Sequence, residues 1–457
     1  MAQLSRSQQD LEKVAQLAVD AAVAAGADDA DAWVEQSVSL NLRAYEGSVE
    51  NMTEATSRGV GVRAFVKGRS GYAYGSDLSE GALAALTSEA TEAAAVTEAD
   101  EHSGLPDSFG SADLPPLVSP EFQSWGTDRK VELALAVERA ARARDPLVSN
   151  VEDTVYADTT SLVALANSKG FAGGYEQTFC YAYVYAFAGE GADLMTGLAV
   201  GTGRGPEALD PEAIGNEAAD RAVALHGARQ PKSRQCPVVL DPYVAASFAS
   251  IIGDTLSARA VQRGRSLFAG KEGEEVADAQ VRLTDDGLEP GGLATAPFDG
   301  EGVPQQQTVL IDSGRLESFL YDGYTARVAG RRSTGNGTRG SYRSQPSVGT
   351  TNLVLDEGDA PTDELIRSAG DGFYVMDVTG LHSGVNPASG TFSVGASGRL
   401  IEGGELGAPA REVTIASDIV SMLKAVRAVG SESRWLPFGG SVKTPPILIE
   451  TMTVGGA

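Results

Sequence analysis

Apolar residues near the start of the chain recur at three- and four-residue steps, which predicts a helix over residues 7–26 with Ser7 as its N-cap. The period then changes to two over residues 32–44 and 60–66, as in strands with one buried face. An alanine-rich helix over residues 79–95 follows. Residues 1–100 are therefore predicted to form an α+β unit, an antiparallel sheet with helices on one face. The turns between its strands are predicted at Glu46-Gly47 and Lys67-Gly68-Arg69.

A second α+β unit is predicted over residues 128–230. It follows a linker, residues 101–127, that contains several prolines and no sustained periodicity. The predicted elements of this unit are a helix over residues 127–144, strands near residues 151–156, 161–167 and 179–187, and a helix over residues 211–227.

The strand over residues 179–187 has aromatic residues at its odd positions and small or aliphatic residues at its even positions. The aromatic residues could form a platform on which a ligand stacks. Because aromatic cross-strand pairs stabilise sheets, we favour a ladder that packs the sheet against helices. Cys180, on the small face, is predicted to be a buried apolar filler. The aromatic residues are Phe179, Tyr181, Tyr183, Tyr185 and Phe187.

The third unit, residues 231–457, is predicted to be a glycine-rich, mostly β domain, which makes the whole chain an α+β protein. It opens with a short strand over residues 237–240 and a helix that Asp241 caps and Pro242 begins. From there the pattern is strand-like with glycine turns, and a single late helix is predicted over residues 417–429.

Charge and composition exclude several classes of function. The 457 residues include 36 basic and 62 acidic ones, a formal net charge of −26. Such a field repels phosphate, so a nucleic-acid partner is not expected. No segment has the roughly 18–20 uncharged apolar residues of a membrane span, and residues 1–10 do not resemble a secretory signal. Because two cysteines make no disulfide framework in a chain of this length, a cytoplasmic location is predicted.

Few residues are available for metal or nucleophilic chemistry. None of His102, His226 and His382 has another histidine or a cysteine within five residues, so the sequence contains no familiar zinc motif. The glycines at 335, 337 and 340 spell G-x-G-x-x-G, but no helix pattern follows, which argues against dinucleotide binding. His382 lies in a glycine-bounded turn, where a structural role and a proton-transfer role are both considered.

An arginine-rich segment without any acidic residue spans residues 323–355. It is either a solvated glycine-rich loop or a basic segment that receives carboxylates or the backbone carbonyls of an extended chain. The sequence leaves both interpretations open. The residues offered as candidates for substrate binding or for an interface are Arg327, Asn336, Arg339, Tyr342, Arg343 and His382.

Several segments resemble the TldD/PmbA metallopeptidase family. The signature run of that family is similar to residues 298–304, 309–316, 324–327 and 333–337, which read FDGEGVP, VLIDSGRL, YTAR and STGNG. Residues 59–63 and 71–73 resemble its N-terminal region, and residues 380–398 resemble its C-terminal glycine-rich block. The resemblance therefore covers nearly the whole chain.

The family has two kinds of subunit, which associate as a heterodimer. In the TldD kind a helix carries H-E-x-x-x-H, in which two histidines bind zinc and the glutamate is the general base, and a distant cysteine completes the site. The matching positions of this chain are Ser250, Ile251 and Thr255, and residues 435–443 contain no cysteine. Two hydroxyls and an isoleucine cannot replace this chemistry. The resemblance therefore implies the TldE (PmbA) kind of subunit, without the metal site.

The resemblance also implies a division of labour. A TldD-type partner would supply zinc and hydrolysis, and this chain would complete the dimer and help to enclose a cleft for unstructured peptides. The chain alone is then expected to be inactive and to hold no cofactor. Two alternatives stay open: a non-catalytic peptide-binding homodimer, and an enzyme of different chemistry that uses His382 with Ser383 or Ser393.

Overall fold

A single six-stranded antiparallel sheet forms the first layer of the computed structural model, which describes residues 4–438 and 440–457. The strands of this sheet are β1 (Asp29–Tyr45), β2 (Ser48–Val66), β3 (Arg69–Gly75), β4 (Val148–Asn167), β5 (Ala172–Ala188) and β6 (Met195–Gly203). They lie in the order β3-β2-β1-β4-β5-β6. Because β1 pairs with β4 from Asp31 to Ala44, strands from residues 1–100 and from residues 128–230 share this sheet.

Helices cover one face of this sheet in two pairs. They are α1 (Gln8–Ala24), α2 (Glu80–Val96), α3 (Thr127–Arg144) and α4 (Pro211–Ala224). The first pair buries apolar residues of β1, β2 and β3, and the second pair packs on β4, β5 and β6. The predicted first helix is confirmed, since Ser7 and Asp10 form a reciprocal capping box at its start. The predicted meander and both of its turns are confirmed as well.

The rest of the chain forms two more six-stranded sheets around a large apolar core. The orders are β10-β9-β8-β13-β19-β18 and β16-β15-β14-β7-β20-β17, and a further β16–β20 pairing closes five strands of the latter into a ring. The strands are β7 (Arg234–Leu240), β8 (Leu283–Asp286), β9 (Gln307–Asp312), β10 (Arg315–Leu316), β11 (Gly337–Thr338), β12 (Ser347–Val348), β13 (Asn352–Leu355), β14 (Gly372–Thr379), β15 (Thr391–Glu402), β16 (Glu405–Asp418), β17 (Val426–Val429), β18 (Arg434–Leu436), β19 (Ser441–Thr444) and β20 (Ile447–Gly455).

Short helices lie between these strands, and α5 contributes the most to the core. No helix in the described part of the chain is long and apolar enough to cross a membrane. The helices are α5 (Pro242–Thr255), α6 (Ala258–Gln262), α7 (Gly323–Ala329), α8 (Thr362–Ala369), α9 (Leu381–Gly384) and α10 (Ile419–Lys424).

The helix predicted over residues 417–429 is only partly correct, because α10 ends at Lys424 and β17 follows it. The expectation of a single late helix is also wrong. For example, α7 has only seven residues, between an N-cap at Asp322 and a left-handed glycine at 330, so it is too short to show helical periodicity. The two strands predicted near residues 151–156 and 161–167 form the single long strand β4.

The orientation predicted for the aromatic strand is wrong. The small side chains of β5, including Cys180, pack against α3 and α4, whereas the aromatic residues lie on the opposite face and stay half-buried. Close helix packing explains this choice of face. A Cβ on Gly197 of β6 would lie 2.1 Å from the carbonyl oxygen of Ala218 in α4, so only small residues fit beneath the helices. Cys180 is fully buried, as predicted.

A buried cluster of charges joins the first sheet to the C-terminal region. Arg63 of β2 donates to Asp31 of β1 and, at 2.9 Å, to Glu301 of the segment after β8. Arg339 donates to the other oxygen of Asp31 at 2.9 Å. All four side chains are almost inaccessible to solvent. Buried charges are tolerated only when they are paired and hydrogen-bonded, so this cluster fixes the relative position of the two parts.

A fifth buried residue, Asp299, adjoins this cluster without a cation of its own. Its carboxylate accepts backbone N–H groups of Glu301, Val303 and Gly337 at 2.8–3.0 Å. Burial, followed by the neighbouring charge of Glu301, raises the pKa of Asp299 to about 7. Desolvation and the charge of Glu301 together outweigh the three hydrogen bonds, which lower the pKa.

The raised pKa of Asp299 predicts a pH-dependent loss of stability. Below about pH 4 the group is protonated in both the folded and the unfolded state, and its contribution is lost as the pH rises to about 7. Between about pH 5 and pH 7 the free energy of unfolding of the wild type should fall by up to about 1.4 kcal/mol per pH unit more than that of Asp299→Asn. Urea unfolding across this range measures both slopes. Equal slopes would contradict the assignment.

Candidate functional site

A cavity of about 480 Å³ lies between the aromatic face of the first sheet and the C-terminal region. One wall comes from β5, β6 and α4, and the other comes from α5, β14, α9 and the loop around Phe438. Its lining combines apolar side chains with a few charged and polar groups, as in a binding site for an organic ligand. The polar and aromatic residues of the lining are Tyr185, Thr196, Arg221, Tyr243, Ser247, Asp377, His382 and Phe438.

The start of α5 is fixed by a buried ion pair. Asp241 caps this helix by accepting the N–H of Tyr243 at 3.0 Å, and it also accepts from Arg221 at 3.0 Å and from the Tyr374 hydroxyl at 2.7 Å. Arg221 donates in addition to the carbonyl of Met376 at 2.5 Å. Helices α4 and α5 and strand β14 are therefore connected through two side chains.

Tyr243 connects α5 to the first sheet. Its ring lies between two guanidinium groups, 4.4 Å from that of Arg221 and 4.7 Å from that of Arg434. Its hydroxyl accepts the N–H of Val200 in β6 at 3.0 Å. The Phe438 ring packs against it at 5.8 Å between ring centroids. These contacts join the two walls of the cleft.

Asp377 and His382 are the titratable groups most open to the cleft. Desolvation by the cleft walls raises the pKa of Asp377, although the nearby charge of Arg221 acts in the opposite direction. His382 is exposed on α9. Among the described residues no hydrogen bond joins its ring to Ser383 or Ser393, whose side chains face a shallow depression beside the cleft. A serine–histidine pair is therefore not assembled in this structure.

The positions predicted to replace a zinc motif lie on α5, beyond Ser247. Ile251 packs against the apolar core. The Thr255 hydroxyl is buried and donates to the carbonyl of Ile252 at 2.8 Å, so it is already occupied. No group of three or more histidine, cysteine, aspartate or glutamate side chains able to hold a metal occurs within residues 4–438 and 440–457. These residues do not fit zinc.

The arginine-rich segment lies away from the cleft and binds other parts of the chain. Arg327 donates to the carbonyls of His102, Gly104 and Leu105 at 2.7–2.8 Å. These acceptors belong to residues 101–127. The segment thus receives backbone carbonyls, as one interpretation of the sequence held, but they belong to the protein itself.

The other candidates of this segment are also engaged within the chain. Arg339 donates to the carbonyl of Gly300 as well as to Asp31, and Asn336 donates to buried Asp285 at 2.7 Å. Tyr342 is buried against Gly59 of β2. Arg343 is exposed and contacts the Tyr342 hydroxyl. The structure therefore places only His382 of the six candidates in the cleft lining.

Residues that the sequence did not single out make most of the polar cleft. Arg221 and Tyr243 lie in ordinary helical patterns, and nothing in these patterns distinguishes them from residues of a solvated or a buried face. Asp377 offered a weak signal, because it is the only charged residue of β14. Tyr185 belongs to the aromatic strand, which the sequence predicts to pack against helices.

Sequence models of one family match three successive parts of the chain. The PmbA/TldA metallopeptidase domain 1 matches residues 30–94, the central domain matches residues 120–225, and the C-terminal domain matches residues 233–456. Together these matches include all strands of the first sheet and all elements that form the cleft.

Individual relatives agree with the family models. The metalloprotease PmbA homolog of Haemophilus influenzae is 28% identical and covers 99% of this chain and 98% of its own length. The metalloprotease PmbA of Escherichia coli O157:H7 is 26% identical, covering 94% and 92%. The crystal structure of TldE from Thermococcus kodakarensis has the same fold, with a TM-score of 0.88 and 22% identity over 98% of this chain and 100% of that one.

The ion pair at the start of α5 predicts a large difference between two arginine substitutions. Arg221→Ala leaves buried Asp241 without its cation, which should lower the free energy of unfolding by about 3–5 kcal/mol. Arg229→Ala breaks an exposed pair with Asp193 and should cost less than about 1 kcal/mol. Urea unfolding at neutral pH measures both. Similar losses in the two variants would contradict the proposed anchoring.

Proposed function

The chain belongs to the PmbA/TldD metallopeptidase family, and we propose that it is the subunit without a metal site in a heterodimeric zinc peptidase. In this proposal a TldD-type partner holds zinc and performs hydrolysis of unstructured peptides. The present chain completes the assembly and forms one side of the enclosed substrate cleft. The free, buried cysteines suit a reducing compartment, and we assign the complex to the cytoplasm.

The observation that carries this proposal is the chemistry of α5. An isoleucine packed in the core and a threonine whose hydroxyl is bound to the backbone offer no imidazole, thiolate or carboxylate to a metal. The cleft beside this helix nevertheless remains, with a volume of about 480 Å³ and several polar groups. A cleft whose walls are present but whose side chains cannot bind a metal suits a role in binding and enclosing a peptide.

An exposed sheet edge supports association with another subunit. Residues 48–53 of β2 pair with β1 and extend beyond β3, whose pairing with β2 begins only at Val60. All six are exposed, and they include Val49 at 38% and Met52 at 51% of their full accessibility. Long exposed edges carrying apolar side chains favour pairing with another chain. We propose that this edge contributes to the contact with the partner.

Metal analysis of the separate and combined subunits tests the proposal. The purified chain should contain no stoichiometric zinc and hydrolyse no peptide, and its complex with a TldD-type subunit should contain one zinc per heterodimer and be active. A chelator should abolish the activity of the complex and leave the thermal unfolding of the isolated chain unchanged. A chelator lowers the unfolding temperature only when it removes a metal that is bound to the folded state, and the isolated chain should hold none.

The isolated chain provides the decisive control. One zinc per chain, or a lowered unfolding temperature after chelation, would contradict the absence of a metal site. A stable homodimer that binds peptides and forms no complex with a TldD-type subunit would instead support the non-catalytic alternative.

A further inference from the structure

Four aromatic rings form a continuous row on the open face of β5. Phe179, Tyr181, Tyr183 and Tyr185, here called the aromatic ladder, have successive ring centroids 5.7, 6.2 and 6.0 Å apart. The rings of Tyr181 and Tyr183 are nearly parallel, at 11°. The helices cover the opposite face of the sheet, and Tyr183 packs partly against the apolar core of the C-terminal region. All four side chains remain half-buried rather than fully enclosed.

The strands beside the ladder carry small or uncharged side chains next to Phe179 and Tyr181, whereas Arg43 of β1, which is ion-paired with Glu50 and Asp153, is aligned with Tyr183. In the sheet register Tyr181 is opposite Ala157 of β4, which is opposite Asn41 of β1. Phe179 is likewise aligned with Thr159. Within the described residues no hydrogen bond occupies the hydroxyl groups of the three tyrosines. These hydroxyl groups can therefore bind an extended chain that lies along the ladder.

The ladder leads into the cleft. Tyr185 lines the cavity together with Asp377. Burial, followed by the charges of Asp377 and Asp153, raises the pKa of Tyr185. Asp377 forms no ion pair with any described residue. Arg221, its nearby cation, is already bound to Asp241 and to a backbone carbonyl. The Asp377 carboxylate therefore lies at the end of the aromatic ladder, and no described cation forms an ion pair with it.

We propose that the aromatic ladder and Asp377 form one binding strip for an extended peptide with apolar side chains at alternate positions and a cationic group at Asp377. Alternate side chains of an extended chain lie roughly 6.6 Å apart, which matches the ring spacing. The net charge of −26 favours the approach of a basic peptide. The inference rests on the proposed role in peptide binding and specifies which peptides the cleft prefers.

Peptide binding by the full-length chain tests this inference without zinc or a partner. The probes are a labelled unstructured peptide with leucine at alternate positions and one terminal lysine, and the same peptide with glutamine in place of lysine. Fluorescence anisotropy at low salt should show that the wild type binds the lysine peptide about tenfold more tightly. Asp377→Asn should remove this preference and leave the affinity for the glutamine peptide unchanged.

The contribution of the ladder is tested by a matched pair of substitutions. Tyr181→Ala should weaken the binding of both peptides about three- to tenfold, and Tyr181→Phe, which keeps the ring, should restore it. Tyr74→Ala, at an exposed tyrosine of β3 outside the ladder, should change neither affinity. Circular dichroism establishes that each variant is folded.

Two results would overturn the inference. One is a lysine preference that is as large in Asp377→Asn as in the wild type. The other is unchanged peptide affinity in Tyr181→Ala. Because the chain is assayed alone, neither result depends on whether a zinc-bearing partner exists. The metal analysis above tests the proposed function separately.

Discussion

The position of the first sheet depends on the buried cluster in which Arg63 lies between Asp31 and Glu301. Two of these residues belong to adjacent strands of the sheet, and the third belongs to the C-terminal region. Arg339 binds the same aspartate from the C-terminal side. Removing any one member would leave an uncompensated charge inside the protein. The cluster therefore favours a single placement of the sheet against the C-terminal region. The open face of the sheet is thereby held opposite α5.

The cleft follows from that constraint and from the anchoring of α5. Asp241 determines where the helix begins, and Tyr243 attaches it to β6. The same helix carries Ile251 at the position where the family resemblance implies a glutamate in the zinc-binding kind of subunit. A cleft whose walls are fixed beside a helix without metal-binding side chains suits the proposed role of binding and enclosing a substrate for a partner.

Much of the fold could be predicted from periodicity, because long elements repeat their pattern several times. Helix α1 and strands β1 and β2 are clear for this reason, and the capping serine at position 7 marks the helix start. Helix α7 could not be found, since seven residues contain barely two turns. The alternation of β5 shows that its two faces differ, but only packing against α3 and α4 decides which face is covered.

The candidate site was less predictable than the fold. Arginines 327 and 339 stood out because they lie in an acid-free segment, yet both bind groups of this same chain. Cleft residues such as Arg221 and Asp377 come from elements far apart in the sequence, and single residues in regular elements carry no local signal. Family resemblance pointed to positions 250, 251 and 255 as replacements for a zinc motif, whereas the cleft itself required the tertiary structure.

The central claim, that this chain is the metal-free half of a peptidase, is tested most directly by native mass spectrometry of the assembly purified from its own host. The account predicts a one-to-one complex with a second, H-E-x-x-x-H-bearing subunit and a mass increment of a single zinc ion, which stays with the partner when the subunits dissociate. A homodimer of this chain, or a zinc ion that remains bound to it after dissociation, would contradict the account.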